Sequence, residues 1–272
     1  MTTEPQPASG FNPLIGPPQS PTQPPLPEKQ LLAPIWHTVV IMVVVLGNSY
    51  GLAWLSARGM GPGSGAVTEK TRILQYLATI AFELVLLGFV WIGLRLKQTK
   101  IRDLIGGRWD SPEAFLLDVA IAFLFWVIAY GTLIGLGYAL GLARPGQIDS
   151  AKKLAGMLAP HTLPGLGIFV LLSVTAGFVE EIIFRGYLQR QFAALSGNVY
   201  IGLVASALVF GAGHGYEGIR RMLLIFVFGT MFGALALWRK SLRPGMMAHG
   251  WHDSIQGVLL FVATKTGIVP SS

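Results

Sequence analysis

Residues 178–188, FVEEIIFRGYL, set two carboxylates and a guanidinium inside an apolar run. An ionisable side chain at the centre of a bilayer costs about 2.5 to 3.5 kcal/mol on the insertion scale, so such groups normally pair with one another or perform chemistry. On a helix, Glu181 and Arg185 stand at i and i+4, the spacing at which a glutamate reaches an arginine one turn onward. Glu180 projects about 100° away from that pair. One helix can therefore carry an ion pair on one face and leave a second carboxylate free to act as a base. The competing reading is that both acids merely balance Arg185 and Arg190 near a helix end.

Two further clusters bear on that choice. The stretch LVFGAGHG places Phe210 one helical turn before His214, and MMAHGWHDS places His249 and Asp253 at i and i+4, on a shared face, with His252 within reach of it. A lone helical histidine is more often a hydrogen-bonded packing residue than a base or a ligand. Here three separate segments each offer a polar cluster in a chain with 5 histidines. His37 and His161 fall outside this pattern.

The elements that must carry these residues are membrane helices. Hydrophobic residues make up 52% of the 272-residue chain and charged residues 12%, far below the roughly 25% charged of a soluble domain. Apolar runs predict helices near 34–56, 73–95, 113–142, 164–194, 198–214, 220–238 and 244–265, of which the run at 198–214 is short enough to stop inside the membrane. The expected fold is an all-α, polytopic transmembrane bundle of about seven membrane helices, in which every backbone group is satisfied internally. No internal repeat marks an inverted-repeat transporter.

Ten of the 17 prolines lie within the first 34 residues. Such a tail cannot donate enough backbone hydrogen bonds for helix or sheet, and disorder or polyproline is expected there. Its start lacks the positive n-region of a cleavable secretory signal. The formal charge of +7 is spread through short loops rather than gathered in a run, which argues for contact with anionic lipid and against nucleic acid. The 95–108 loop is the most basic, which puts it and the N-terminus on the cytoplasmic side. KIRDLIGGRW within that loop reads as an amphipathic helix along the interface. With 0 cysteines, thiolate catalysis and Cys-ligated zinc are excluded, and any metal must use His, Asp or Glu.

Glu83 and Asp118 are the other carboxylates inside predicted spans. For Glu83 a hydrogen bond within the bundle is expected, with a role in substrate access or proton carriage as the alternative. Asp118 stands near a helix start, where it can cap or face headgroups.

Taken in order, Glu180, Glu181 and Arg185, then Phe210 and His214, then His249 and Asp253, resemble the signature of the CAAX protease and bacteriocin-processing (CPBP, or Abi) family. These are intramembrane peptidases related to the type II CAAX prenyl endopeptidase. The family pattern is E-E-x-x-x-R, F-x-x-x-H and H-x-x-x-N or a similar polar residue. The resemblance divides the chain into a Pro-rich tail at 1–33, N-terminal transmembrane helices at 34–160 and protease-like catalytic helices at 161–268. It implies a membrane-embedded endopeptidase cutting near the C-terminus of a membrane-associated or CAAX-type substrate. Glu180 and His214 would activate water, His249 and Asp253 would stabilise the oxyanion, and Glu181 and Arg185 would hold the site together, with Phe210 and His252 in support.

An apolar surround suits a carboxylic acid that takes a proton from water and returns it to the leaving amine. A fixed donor to an oxyanion is worth about 2.7 to 4 kcal/mol. Asp253 departs from the frequent Asn of the family, because an ionised Asp only accepts hydrogen bonds. It could instead orient His249 or His252, or bind metal. Two mechanisms follow. In one, Glu180, His214, His249 and Asp253, with Glu181 as a further donor, hold zinc or another divalent ion that acidifies its bound water. In the other, Glu180 and His214 suffice without metal. The compact H-E-x-x-H spacing is absent, and Asp253 suits the metal version better than an oxyanion hole. Two other function classes fit the same residues, a non-catalytic immunity or scaffold protein and an ion-coupled transporter.

Overall fold

The computed structural model describes residues 30–58 and 68–269; the expectation for the Pro-rich tail lies outside them. Among the described residues the chain is all-helical, without strands. It is an integral, multi-pass membrane protein. The helices are α1 (Ile35–Ala57), α2 (Glu69–Leu96), α3 (Ile101–Ile105), α4 (Pro112–Ala139), α5 (Pro145–Leu158), α6 (Leu163–Glu180), α7 (Gln189–Ser196), α8 (Val199–Ala212), α9 (Ile219–Arg239) and α10 (Arg243–Lys265). A π-helical stretch, Glu181–Leu188, joins α6 to α7 without a break.

The helix starts follow local chemistry. Thr68, Ser111, Thr162 and Asn198 each turn a side-chain oxygen onto first-turn backbone N–H groups of α2, α4, α6 and α8, which satisfies donors that otherwise have no partner. Pro112 and Leu163-Pro164 supply a proline in the first turn, where its missing N–H costs nothing. The predicted seven long helices are found within a few residues of their expected ends. Five segments, α1, α2, α4, α6 through α7, and α9, are each long and apolar enough to cross a bilayer. The α8 helix has 14 residues and is shorter than a span requires. The α10 helix is long enough but carries Arg243, His249, His252, Asp253 and Lys265, so its polar face must be buried in protein. Large apolar side chains such as Val85, Leu124 and Tyr200 point outward, as lipid contact demands.

Two features differ from the sequence reading. The segment after α4, expected to be loop, contains α5, whose mixed composition carries no span signal. The basic loop holds only the single turn of α3 rather than a longer interfacial helix, and it is tied into the bundle: Arg190 donates to the Asp103 and Leu104 carbonyls at 3.2 and 2.8 Å, and Leu242 N–H donates to Ile105 O at 2.9 Å.

The scaffold of the site is the crossing of α6 with α10, against which α2 and α4 also pack. Its closeness depends on glycine. A Cβ on Gly177 would lie 2.5 Å from the Gly250 nitrogen and 2.9 Å from its Cα, so any larger residue would push the helices apart. Small residues at a crossing let backbones approach where lipid supplies no hydrophobic drive. At one end of the bundle Asp118, 1% exposed, pairs with Arg239 at 2.7 Å and Arg243 at 3.2 Å and accepts from the Trp109 indole at 2.9 Å. The reading of Asp118 as a cap or headgroup contact is thereby corrected: a buried carboxylate needs cations, and the ends of α9 and α10 deliver them. His37, also buried, sits between the Tyr187 hydroxyl at 3.0 Å and the Phe89 carbonyl at 2.8 Å.

Candidate active site

The carboxylates enter where the α6 backbone changes its winding. Every residue of the π-helical stretch Glu181–Leu188 is buried, and such wide turns recur at functional sites because they re-aim side chains that a regular helix would space evenly. Glu181, 1% exposed, lies behind the site. Its Oε1 forms an ion pair with Arg185 Nη1 at 2.9 Å and a hydrogen bond with His249 Nδ1 at 3.0 Å. Gly245 of α10 makes room for the other oxygen, since a Cβ there would stand 3.3 Å from Glu181 Oε2. Arg185, 2% exposed, also donates to the Gly229 carbonyl at 3.3 Å and lies over the Phe210 ring at 4.4 Å and the Phe232 ring at 5.3 Å. A buried charge pair is tolerable when its remaining donors meet carbonyls and ring faces in this way.

Glu180 faces the other side, with a side chain 20% exposed, and its Oε2 is 3.7 Å from His249 Nε2. Asp253 Oδ2 stands at the same 3.7 Å from that nitrogen. His249 is thus fixed through Nδ1 to Glu181 and presents Nε2 to two further carboxylates, at ion-pair rather than hydrogen-bond range. Phe228 and Phe232 hold the imidazole edge-on and tilted, with ring centroids 5.6 and 5.3 Å away. His214, at the end of α8, has Nδ1 2.9 Å from the Phe210 carbonyl. A carbonyl can only accept, so a neutral His214 carries its proton on Nδ1 and leaves the Nε2 lone pair free. His252 has its Nε2 2.7 Å from the Gln256 amide nitrogen and its ring 4.9 Å from Phe228; its Nδ1 has no hydrogen-bond partner.

These residues share one space. A cavity of about 450 Å³ is lined by Glu180, Phe210, His214, His249, His252 and Asp253, while Glu181 and Arg185 stand behind that wall. Asp253 approaches His249, not His252, which leaves it placed to orient that ring. The structure also contributes wall residues that sequence reading passed over: Tyr130, Glu217, Arg221 and Gln256. The signal for Arg221 was present, because Arg221, Leu224, Ile225 and Phe228 follow the i, i+3, i+4, i+7 spacing of one helix face, but nothing local says which way that face turns. Glu83 on α2 is buried, has no hydrogen-bond partner at Oε2, and lies within electrostatic reach of Glu180, His249 and Asp253. The hydrogen bond expected for it in the bundle is not made by that oxygen.

Among the described residues, no three His, Asp or Glu side chains are arranged to hold a metal ion. His249 spends one nitrogen on Glu181, and the carboxylates stand at ion-pair distance from the other. The donor set as placed does not fit a metal.

No curated protein and no solved structure matches the chain. A family model does: residues 162–255 match the one described as type II CAAX prenyl endopeptidase Rce1-like, and the matched segment runs from the cap of α6 past Asp253 of α10, so that it contains Glu180, His214 and His249. The match supports assigning residues 162–255 to the CAAX protease family.

Proposed function

We propose that this protein is an intramembrane endopeptidase that hydrolyses a peptide bond near the C-terminus of a membrane-associated substrate, CAAX-type or otherwise, with Glu180 as the general base. The observation that carries the reading is the opening of Glu180, His214, His249 and Asp253 into one cavity, backed by a closed Glu181–Arg185 pair. A water in the cavity donates one hydrogen to Glu180 and the other to the free Nε2 of His214. Its oxygen attacks the carbonyl carbon as Glu180 takes the proton. The carbonyl oxygen becomes an oxyanion, and the doubly protonated form of His249, steadied by Asp253, turns an Nε2–H toward it. Glu180 then passes its proton to the amide nitrogen as the C–N bond breaks, which yields a carboxylic acid and an amine and restores the base.

Lipid surrounds the protein, and a peptide or membrane-protein segment is the substrate on this reading. The test is purified protein in detergent against a panel of fluorogenic peptides, prenylated and not. Turnover that disappears in Glu180→Gln, in protein of unchanged melting temperature, supports the reading. Folded protein that cleaves no peptide would instead favour a scaffold or immunity role. A chelator arm, with zinc restored afterwards, decides between the metal-dependent and metal-free forms of the same chemistry.

A further inference from the structure

One acid in the middle of the bundle has no part in the chemistry above. Glu83 of α2 is 7% exposed, its Oε2 has no hydrogen-bond partner, and among the described residues no cation stands within ion-pair distance of it. A buried polar group left in this way is costly, and an ionisable one inside a span normally serves a site.

Three contacts fix its level. The α2 helix runs parallel to α6: the Glu69 carboxylate accepts from the Thr162 hydroxyl at 2.6 Å, the Tyr76 and Phe169 rings meet with centroids 5.3 Å apart, and His37 joins the Phe89 carbonyl to the Tyr187 hydroxyl. Glu83 lies two turns beyond Tyr76, which sets it level with the segment from Ala176 to Glu181. There Gly177 meets Gly250, the neighbour of His249. The ionisable groups within electrostatic reach of Glu83 are Glu180 from α6 and His249 and Asp253 from α10. Glu181 and Arg185 are closed on each other, and His37 on α1 is occupied by Tyr187 and Phe89.

This level of the bundle holds more acids than donors. Glu83, Glu180, Glu181 and Asp253 face Arg185 and His249, and Glu181 already engages both. Neighbouring carboxylates in an apolar surround do not all carry charge, and one proton held between two of them relieves the repulsion. Because α2 packs mainly against α6 and its π-helical continuation, the acid that Glu83 meets is Glu180.

We infer that Glu83 is a neutral carboxylic acid that donates its O–H toward one carboxylate oxygen of Glu180, as a positioning residue for the base. This rests on the peptidase reading above and deepens it. The two side chains are not in hydrogen-bond contact as placed, and a turn of the Glu83 carboxyl or one bridging water completes the link. A carboxylate among apolar side chains stays an anion only where a donor meets it. With Glu83 serving one oxygen of Glu180, the other is left to the water in the cavity. Glu83 keeps its own proton through the cycle, and the proton that Glu180 takes from water is the one that leaves with the amine.

The test reads that proton directly. Infrared difference spectra are recorded at neutral pH between full-length protein in detergent and its Glu83→Gln variant. The variant is expected to lose one carbonyl band of a protonated carboxylic acid and no carboxylate band. The same band should shift in Glu180→Gln, whose neutral amide is a weaker acceptor, and hold its place in Asp253→Asn. Loss of carboxylate bands instead, or an acid band indifferent to Glu180→Gln, overturns the inference. Turnover gives a second reading. Glu83→Leu fills similar space and removes the donor, so kcat is expected to fall about tenfold with KM and melting temperature unchanged. Glu83→Gln, whose amide N–H still donates, should recover most of that rate. A Glu83→Leu protein that turns over at the parental rate also overturns the inference. A protonated Glu83 coupled to Glu180, in folded protein that cleaves no peptide, sinks the peptidase reading and leaves the shared proton standing, whereas cleavage with an ionised Glu83 does the reverse.

Discussion

Two buried charge clusters in this protein differ in their balance. At one end of the bundle Asp118 meets Arg239, Arg243 and the Trp109 indole, so that one acid is matched by two cations and a neutral donor. In the candidate site, Glu180, Glu181 and Asp253 gather around Arg185 and His249, and only Glu181 is closed off, by the Arg185 ion pair and the His249 hydrogen bond. The first cluster has its carboxylate sealed by donors and joins three helix ends. The second has acceptors to spare, and they open into a cavity. Saturation makes a clasp, whereas a deficit of donors leaves Glu180 available for the base role proposed above.

The sharpest way to break this comparison is to neutralise the spare acceptor. Glu180→Gln keeps shape and removes the proton-accepting group, and kcat is expected to fall by about 10³-fold with the melting temperature unchanged; peptide turnover at saturating substrate measures it. Glu181→Ala leaves Arg185 buried without its partner, and about 3 to 5 kcal/mol of stability is expected to go, with activity following. Asp118→Ala, which orphans two arginines, should cost a comparable amount or somewhat less because Arg239 and Arg243 are partly exposed. Its turnover per folded molecule should stay at the parental level, and a specific activity that drops with Asp118 would erase the distinction between clasp and site.

Smaller effects sharpen the picture. Gly177→Val forces apart the crossing that brings Glu180 to His249, and a loss of about 3 kcal/mol is expected, read as a lower melting temperature in detergent together with reduced turnover. The smallest change is expected for Asp253→Asn. The acid stands 3.7 Å from His249 Nε2, outside hydrogen-bond contact, so the rate should fall only about tenfold as the imidazole loses a neighbouring charge. A rate that rises instead would mean that this position serves the oxyanion as a donor.

Much of the site was legible because helical periodicity converts spacing into direction. Glu181 with Arg185, Phe210 with His214, and His249 with Asp253 are each one turn apart, and each pair does share a face. What stayed hidden involves partners distant in the chain or backbone shaped by packing. The π-helical stretch has no local signature, and every residue in it is buried. Asp118 and Arg239 are separated by 121 positions, so no local window joins them. The α5 helix was missed because its polar and apolar residues mix without the long apolar run that marks a span. Arg221 was unremarkable at a helix start until the turn of α9 put it on the cavity wall.

By itself, the sequence determined that the chain is a membrane bundle and that three helices each bring an ionisable cluster, because hydropathy and the 3.6-residue repeat are local properties of the letters. The tertiary structure decided which carboxylate is spent and which is spare. That outcome depends on the close approach of Gly177 to Gly250, on the widened turn after Glu180 and on the meeting of His249 with acids from another helix. Electrostatic balance inside a membrane is set by distance through space, which no order of residues along a single helix can state.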